Sequence, residues 1–262
     1  MKRKINIGIL AHVDAGKTSL TEQLLFCGGA LRSAGAVDLG TAQTDTLQVE
    51  QARGISVKTA DAVLETETAV VNLIDTPGHA DFISEVERAL SVLDCAVLVV
   101  SAVEGVQAQT EILLDAVQRL ALPCVVFVNK LDRAGSDFAG ACAALSDLLA
   151  DRTLLVVNRP AGEGAAEASV VPETSCLENA VMLAADEALL ERYLAGEKVG
   201  FAQTVCAAVE NGAVPVLCGS SKTGVGCKAL LDFLCACVPA APQSGGALLA
   251  RVFRVEHDRG LG

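Results

Sequence analysis

Residues 11–19 read AHVDAGKTS, after the apolar run INIGIL and before a helix-like stretch. Gly16, Lys17 and Thr18 stand in the order of a phosphate-binding loop. In such a loop the backbone N–H groups and the helix N-terminus face phosphates, the lysine reaches the outer phosphates, and the hydroxyl ligates Mg²⁺. The usual pattern opens on Gly; Ala11 is a small departure at the least demanding position. His12, Val13, Asp14 and Ala15 complete the loop, and Ser19 follows Thr18. A strand–turn–helix with an ordinary turn glycine is the plain alternative, and a His-x-Asp metal pair is the rival reading of His12 and Asp14.

Three further groups bear on the same chemistry. DTPGH supplies Asp75, a carboxylate at a strand end that can hold Mg²⁺ through water, then Thr76, Pro77, Gly78 and His79. Gly78 lets a bare N–H approach a γ-phosphate, and His79 stands where a group that positions water belongs. NKLD supplies Asn129, Lys130 and Asp132. Guanine presents N1–H and the N2 amine as adjacent donors, which one carboxylate, Asp132, can accept; adenine offers no such pair. Asn129 can bond the base edge and tie down the phosphate loop, and the Lys130 stem can lie along the base plane. GSSK supplies Ser220, Ser221 and Lys222. The backbone N–H of Ser221 is the candidate donor to the guanine oxygen, with Lys222 covering the base. Singly each motif is a polar loop end at a sheet rim. Together, in this order, they describe a phosphate-loop NTPase that reads guanine.

The elements that must carry these loops are legible. Continuous apolar runs at 5–10, 69–75, 96–101, 124–129 and 214–219 read as buried strands. Helical patterns at 17–27, 81–91, 108–120, 138–150 and 228–237 alternate with them. Continuous rather than alternating hydrophobicity predicts a mostly parallel sheet covered on both faces, hence a doubly wound α/β fold. Two stretches break the rhythm. Residues 31–58 form a long loop of the kind that serves function, and 153–200 read as a small inserted subdomain containing the helix-like DEALLERYLAG, an amphipathic, solvated helix. The expected organisation is a nucleotide domain at 1–238, a Pro/Gly linker at 239–246, and the first strand of a second, β-barrel type domain at 247–262. One orphan strand cannot fold alone, so a fragment of a longer protein is expected.

Composition sets limits. Hydrophobic residues are 52% of the 262, enough for a large core, and the net charge is −12. An acidic chain does not bind DNA or RNA through bulk charge, so any RNA contact is local. Ten cysteines include no C-x-x-C pair, so reduced, buried thiols are expected rather than a zinc site or disulfide framework. No run approaches membrane-spanning length, and the basic-then-apolar start is too short for a signal peptide, which fits a cytoplasmic protein with no membrane partner.

AHVDAGKT, RGIS, DTPGH, NKLD and GSSK together resemble the signature of the translational GTPases, the group of elongation factor G, over nearly the whole chain. The runs TAQTDTLQVEQARGIS and SVLDCAVLVVSAVEGVQAQTEIL resemble the tetracycline-resistance ribosomal protection proteins more closely still. The resemblance implies GTP as substrate, GDP as product, Mg²⁺ as cofactor, and the ribosome as partner, with large-subunit RNA as activator and no permanent protein partner. It implies a switch loop ending in RGIS, where Ser56 replaces the usual Thr metal ligand beside Thr18 and Asp75. Ser221 replaces the usual Ala, with only its backbone expected to matter. Val13 and Ile55 match an apolar pair that fences the catalytic His79 from water. Lys17, Gly78 and His79 are then the catalytic set. No arginine in the phosphate motifs is placed as a finger, although Arg53 lies near Ser56, so slow unaided hydrolysis is expected. An ordinary elongation factor G, a binding module without turnover, and a cysteine-based metal or redox protein are the other readings.

Overall fold

A computed structural model describes residues 2–31, 60–75, 89–149 and 152–238. Five of its strands are the expected ones: β1 (Arg3–Ala11), β3 (Ala69–Asp75), β4 (Cys95–Ser101), β5 (Cys124–Asn129) and β9 (Val214–Cys218). They are joined by β2 (Ala60–Glu65) and β6 (Leu154–Val156) in a seven-stranded sheet of order β2-β3-β1-β4-β5-β9-β6. Every pairing in this sheet is parallel except β2 with β3. The expected 81–91 helix lies mostly outside the described residues; its end, 89–90, is helical.

The apolar runs are continuous because both faces are covered. From β1, Ile5, Ile7 and Ile9 pack with Leu20 and Leu24 of α1 (Lys17–Cys27) and Leu230 and Leu234 of α7 (Cys227–Cys237). Leu98 and Val100 of β4 turn the other way, onto Leu113 and Val117 of α2 (Ala108–Arg119) and Leu145 of α3 (Phe138–Leu148). Strand pleating sends neighbours to opposite faces, so a strand between two helical layers is apolar throughout. Fully burying one such side chain contributes about 1.5–3 kcal/mol.

The block expected as an insertion divides. Its first strand, β6, pairs with β9 and becomes the sheet's edge. A separate antiparallel hairpin follows, β7 (Asn158–Ala161) with β8 (Ser169–Pro172). Then come α4 (Cys176–Leu183), α5 (Glu187–Leu194) and α6 (Phe201–Glu210). Cys176, Ala180, Val205 and Ala208 make a small core against Leu155 of β6. The Pro/Gly-rich piece is thus partly strand, and α5 is the amphipathic helix read in DEALLERYLAG, with only Leu189 buried.

The cysteines depart from expectation at one place. Cys206 of α6 and Cys237 of α7 form a disulfide, with Cα atoms 4.7 Å apart and a sequence separation of 31. No spacing pattern announces it; helix packing alone brings the two together. The other eight are free. Burial pushes Cys124 and Cys227 up to about 12 and Cys142 up to about 11, so these thiols stay protonated. That is the behaviour of small core side chains rather than ligands or nucleophiles.

Candidate functional site

The chain runs from β1 through α1 to β2 and β3 on one side, then crosses to β4 on the other. The C-terminal end of β1 is therefore the switch point, the place where doubly wound sheets bind ligands. The loop 12–16 sits there. Asp14 and Gly16 take left-handed backbone angles, φ 65° and 94°, which fold the loop over the start of α1. That helix has no side-chain cap and no acidic residue in its first turn, so its positive dipole end favours an anion. Lys17 and Thr18 lie buried at this end.

One side chain joins the loops. Asn129, fully buried at the end of β5, donates from Nδ2 to the Ala15 carbonyl at 2.8 Å and to Ser221 Oγ at 2.9 Å. Its Oδ1 accepts the Ser221 N–H at 2.8 Å. The phosphate loop, NKLD and GSSK thereby meet in one carboxamide. Gly16 is required by this arrangement: a Cβ there would come within 2.3 Å of Asn129 Nδ2. The third loop is set by the turn after β9, where the Leu131 N–H donates to the Gly219 carbonyl at 3.2 Å and the Ser220 N–H to the Val225 carbonyl at 2.9 Å.

One expectation is corrected: the Ser221 hydroxyl is itself a partner of Asn129, so its side chain matters as well as its backbone. The Ser221 amide, expected to face the guanine oxygen, donates to Asn129 Oδ1 in this structure. Lys222 is exposed.

Asp132 Oδ1 is buried and has no hydrogen-bond partner. A buried carboxylate oxygen left without a donor is costly, and the adjacent N1–H and N2 donors of the expected guanine would answer that need. Lys130 takes a left-handed φ of 68° and pairs with Glu104.

His12 is buried, with Nδ1 3.2 Å from the Thr110 hydroxyl of α2 and Nε2 without a partner. Burial holds its pKa below the usual histidine range, as does Lys130, against the pull of Glu104 and Asp14. The Val13 N–H donates to Gln109 Oε1 at 3.2 Å, and its side chain is partly exposed at the site's mouth. The phosphate loop is thus anchored to the start of α2 as well as to Asn129. Among the described residues no three His, Cys, Asp or Glu side chains cluster as a metal site. Asp75 closes β3, in register with Ile9, which places its backbone beside the end of β1. Thr76, Pro77, Gly78 and His79, together with Arg53, Ile55 and Ser56, lie outside the described residues, as do the linker 239–246 and the strand 247–262.

Sequence reading missed Ser101, Glu104, Gln109 and Thr110. The sequence shows an acid in the turn after β4 (SAVEG) and a lysine just past β5, but only the pairing of those strands brings the two together.

A family model described as the elongation factor Tu GTP binding domain matches residues 2–240. The tetracycline resistance protein TetP of Clostridium perfringens is 41% identical over 98% of this chain and 41% of its own length. The oxytetracycline resistance protein of Streptomyces rimosus is 45% identical over 98% of this chain and 40% of its own. A crystal structure of a protein from Thermus thermophilus superposes with a TM-score of 0.80 at 30% identity, over 91% of this chain and 40% of that one. The chain spans about two fifths of the curated relatives it matches.

Proposed function

The chain belongs to the elongation factor Tu GTP-binding domain family, and from that premise we propose that it is the GTPase domain of a ribosomal protection protein that confers tetracycline resistance. Its hydrolysis, slow alone and stimulated by the ribosome, would convert GTP to GDP and phosphate. The observation that carries the nucleotide reading is the Asn129 carboxamide, which draws the phosphate loop and both base loops together beside the orphaned Asp132 oxygen. The choice of protection over translocation rests on the relatives named for tetracycline and oxytetracycline resistance.

Phosphoryl transfer needs positioning and charge stabilisation more than covalent chemistry. The α1 N-terminus and Lys17 neutralise the β- and γ-phosphates. The Thr18 hydroxyl, with Asp75 and Ser56, would hold Mg²⁺, which when bound offsets charge on the same oxygens. Gly78 N–H holds the γ-phosphate and His79 orients water. The partner is the ribosome, whose large-subunit RNA completes the catalytic arrangement, and the setting is the cytoplasm. The GTP-binding domain would span residues 1–238, with β6 of the 153–200 block completing its sheet. In the full-length protein, His79→Ala should keep GTP affinity and lose ribosome-stimulated phosphate release. Equal stimulated rates in His79→Ala and the unaltered protein would reject this mechanism, and failure to release ribosome-bound tetracycline would reject the protection role.

A further inference from the structure

Glu104 belongs to none of the nucleotide motifs. It follows β4, in a turn closed by the Gly105 N–H on the Ser101 carbonyl at 2.9 Å. Its two carboxylate oxygens each lie 3.0 Å from Lys130 Nζ. The same carboxylate accepts the hydroxyl of Ser101, which is wholly buried. The Ala102 N–H donates to the Asn129 carbonyl at 2.8 Å, so this turn is built onto the strand end that carries NKLD. Lys130 is held at both ends: its backbone in a left-handed conformation, its ammonium by Glu104, with the side chain only 11% exposed.

A free lysine stem samples many rotamers, and fixing it when a ligand arrives subtracts from affinity. A stem clamped beforehand does not incur that loss at binding. We propose that Glu104 is a positioning residue for base recognition, holding the Lys130 stem as a preformed wall of the purine pocket. This rests on the reading of NKLD as the guanine site. Glu104 acts through Lys130 and touches neither base nor phosphate. Its side chain is 39% exposed, which bounds the effect to the modest range of a solvent-screened ion pair.

The test is a double-mutant cycle on the dissociation rate of a fluorescent GDP analogue from the full chain, with Glu104→Gln, Lys130→Met, the double variant, and Asp132→Asn as control. Glu104→Gln should speed release about fivefold in the unaltered background and less than about twofold beside Lys130→Met. Raising ionic strength should speed release from the unaltered protein more than from Glu104→Gln. Melting temperatures without nucleotide should agree among these variants. An equal effect of Glu104→Gln in both backgrounds would assign Glu104 to the turn alone and overturn the proposal, as would an unchanged rate. If Asp132→Asn and Lys130→Met both leave release unchanged, the guanine reading itself falls and takes the proposal with it.

Discussion

At the scale of single residues, the site is defined by what Asp132 and His12 lack. The Asp132 Oδ1 has no protein donor, so Asp132→Asn should reverse the preference: GTP affinity falls on the order of a hundredfold and xanthosine triphosphate gains, measured by competition titration. Burial holds His12 below its ordinary pKa of 6.5. Unfolding returns it to ordinary solvent, so below pH 6.5 the unfolded chain takes up a proton that the folded chain refuses. Its contribution to stability is therefore complete above that pH and shrinks as pH falls through it. Urea midpoints should drop between about pH 7.5 and 5.5, and His12→Gln should drop less. Asp132 and Asn129 were legible in sequence because guanine's donor pair dictates a carboxylate at a strand end. The tie from Asn129 to the phosphate loop was legible too, but its bonds to Ser221 were not, since a loop 92 residues away supplies them. Nor was Glu104, whose role depends on β4 lying beside β5.

At the scale of elements, the buried strands were readable and the edges were not. β4, β5 and β9 are apolar at nearly every position because helices cover both faces. β2, by contrast, is an edge strand whose Val63 faces solvent and whose ADAVLE carries two acids, so no hydrophobic run marks it. β6 has three residues, too few for any period to show. The helix ends came within a residue or two because fraying blurs them. The bond between α6 and α7 was invisible for a different reason: it depends on the packing of helices from separate parts of the chain. It closes a loop of 31 residues, worth about 3.7 kcal/mol by chain entropy. Reduction, or Cys206→Ser, should therefore lower the melting temperature by several degrees, read by calorimetry with and without a thiol reductant.

At the scale of the whole molecule, the charge of −12 disfavours bulk contact with a polyanion, and the switch point among the described strands suits a small ligand. A ligand that binds only the folded state adds about 2.7 kcal/mol at a hundredfold excess over its dissociation constant. GDP with Mg²⁺ should raise the melting temperature while ADP leaves it unchanged, a comparison that thermal-shift fluorimetry makes directly. No described helix is long and apolar enough to cross a membrane. The carboxamide of Asn129 has one further result for how the domain empties. Because the same three bonds clasp the floor under the phosphates and the shelf under the base, prising up either one slackens the other. A factor that lifts only the phosphate end would loosen the purine as well, so exchange needs a lever at one edge of the crevice rather than two.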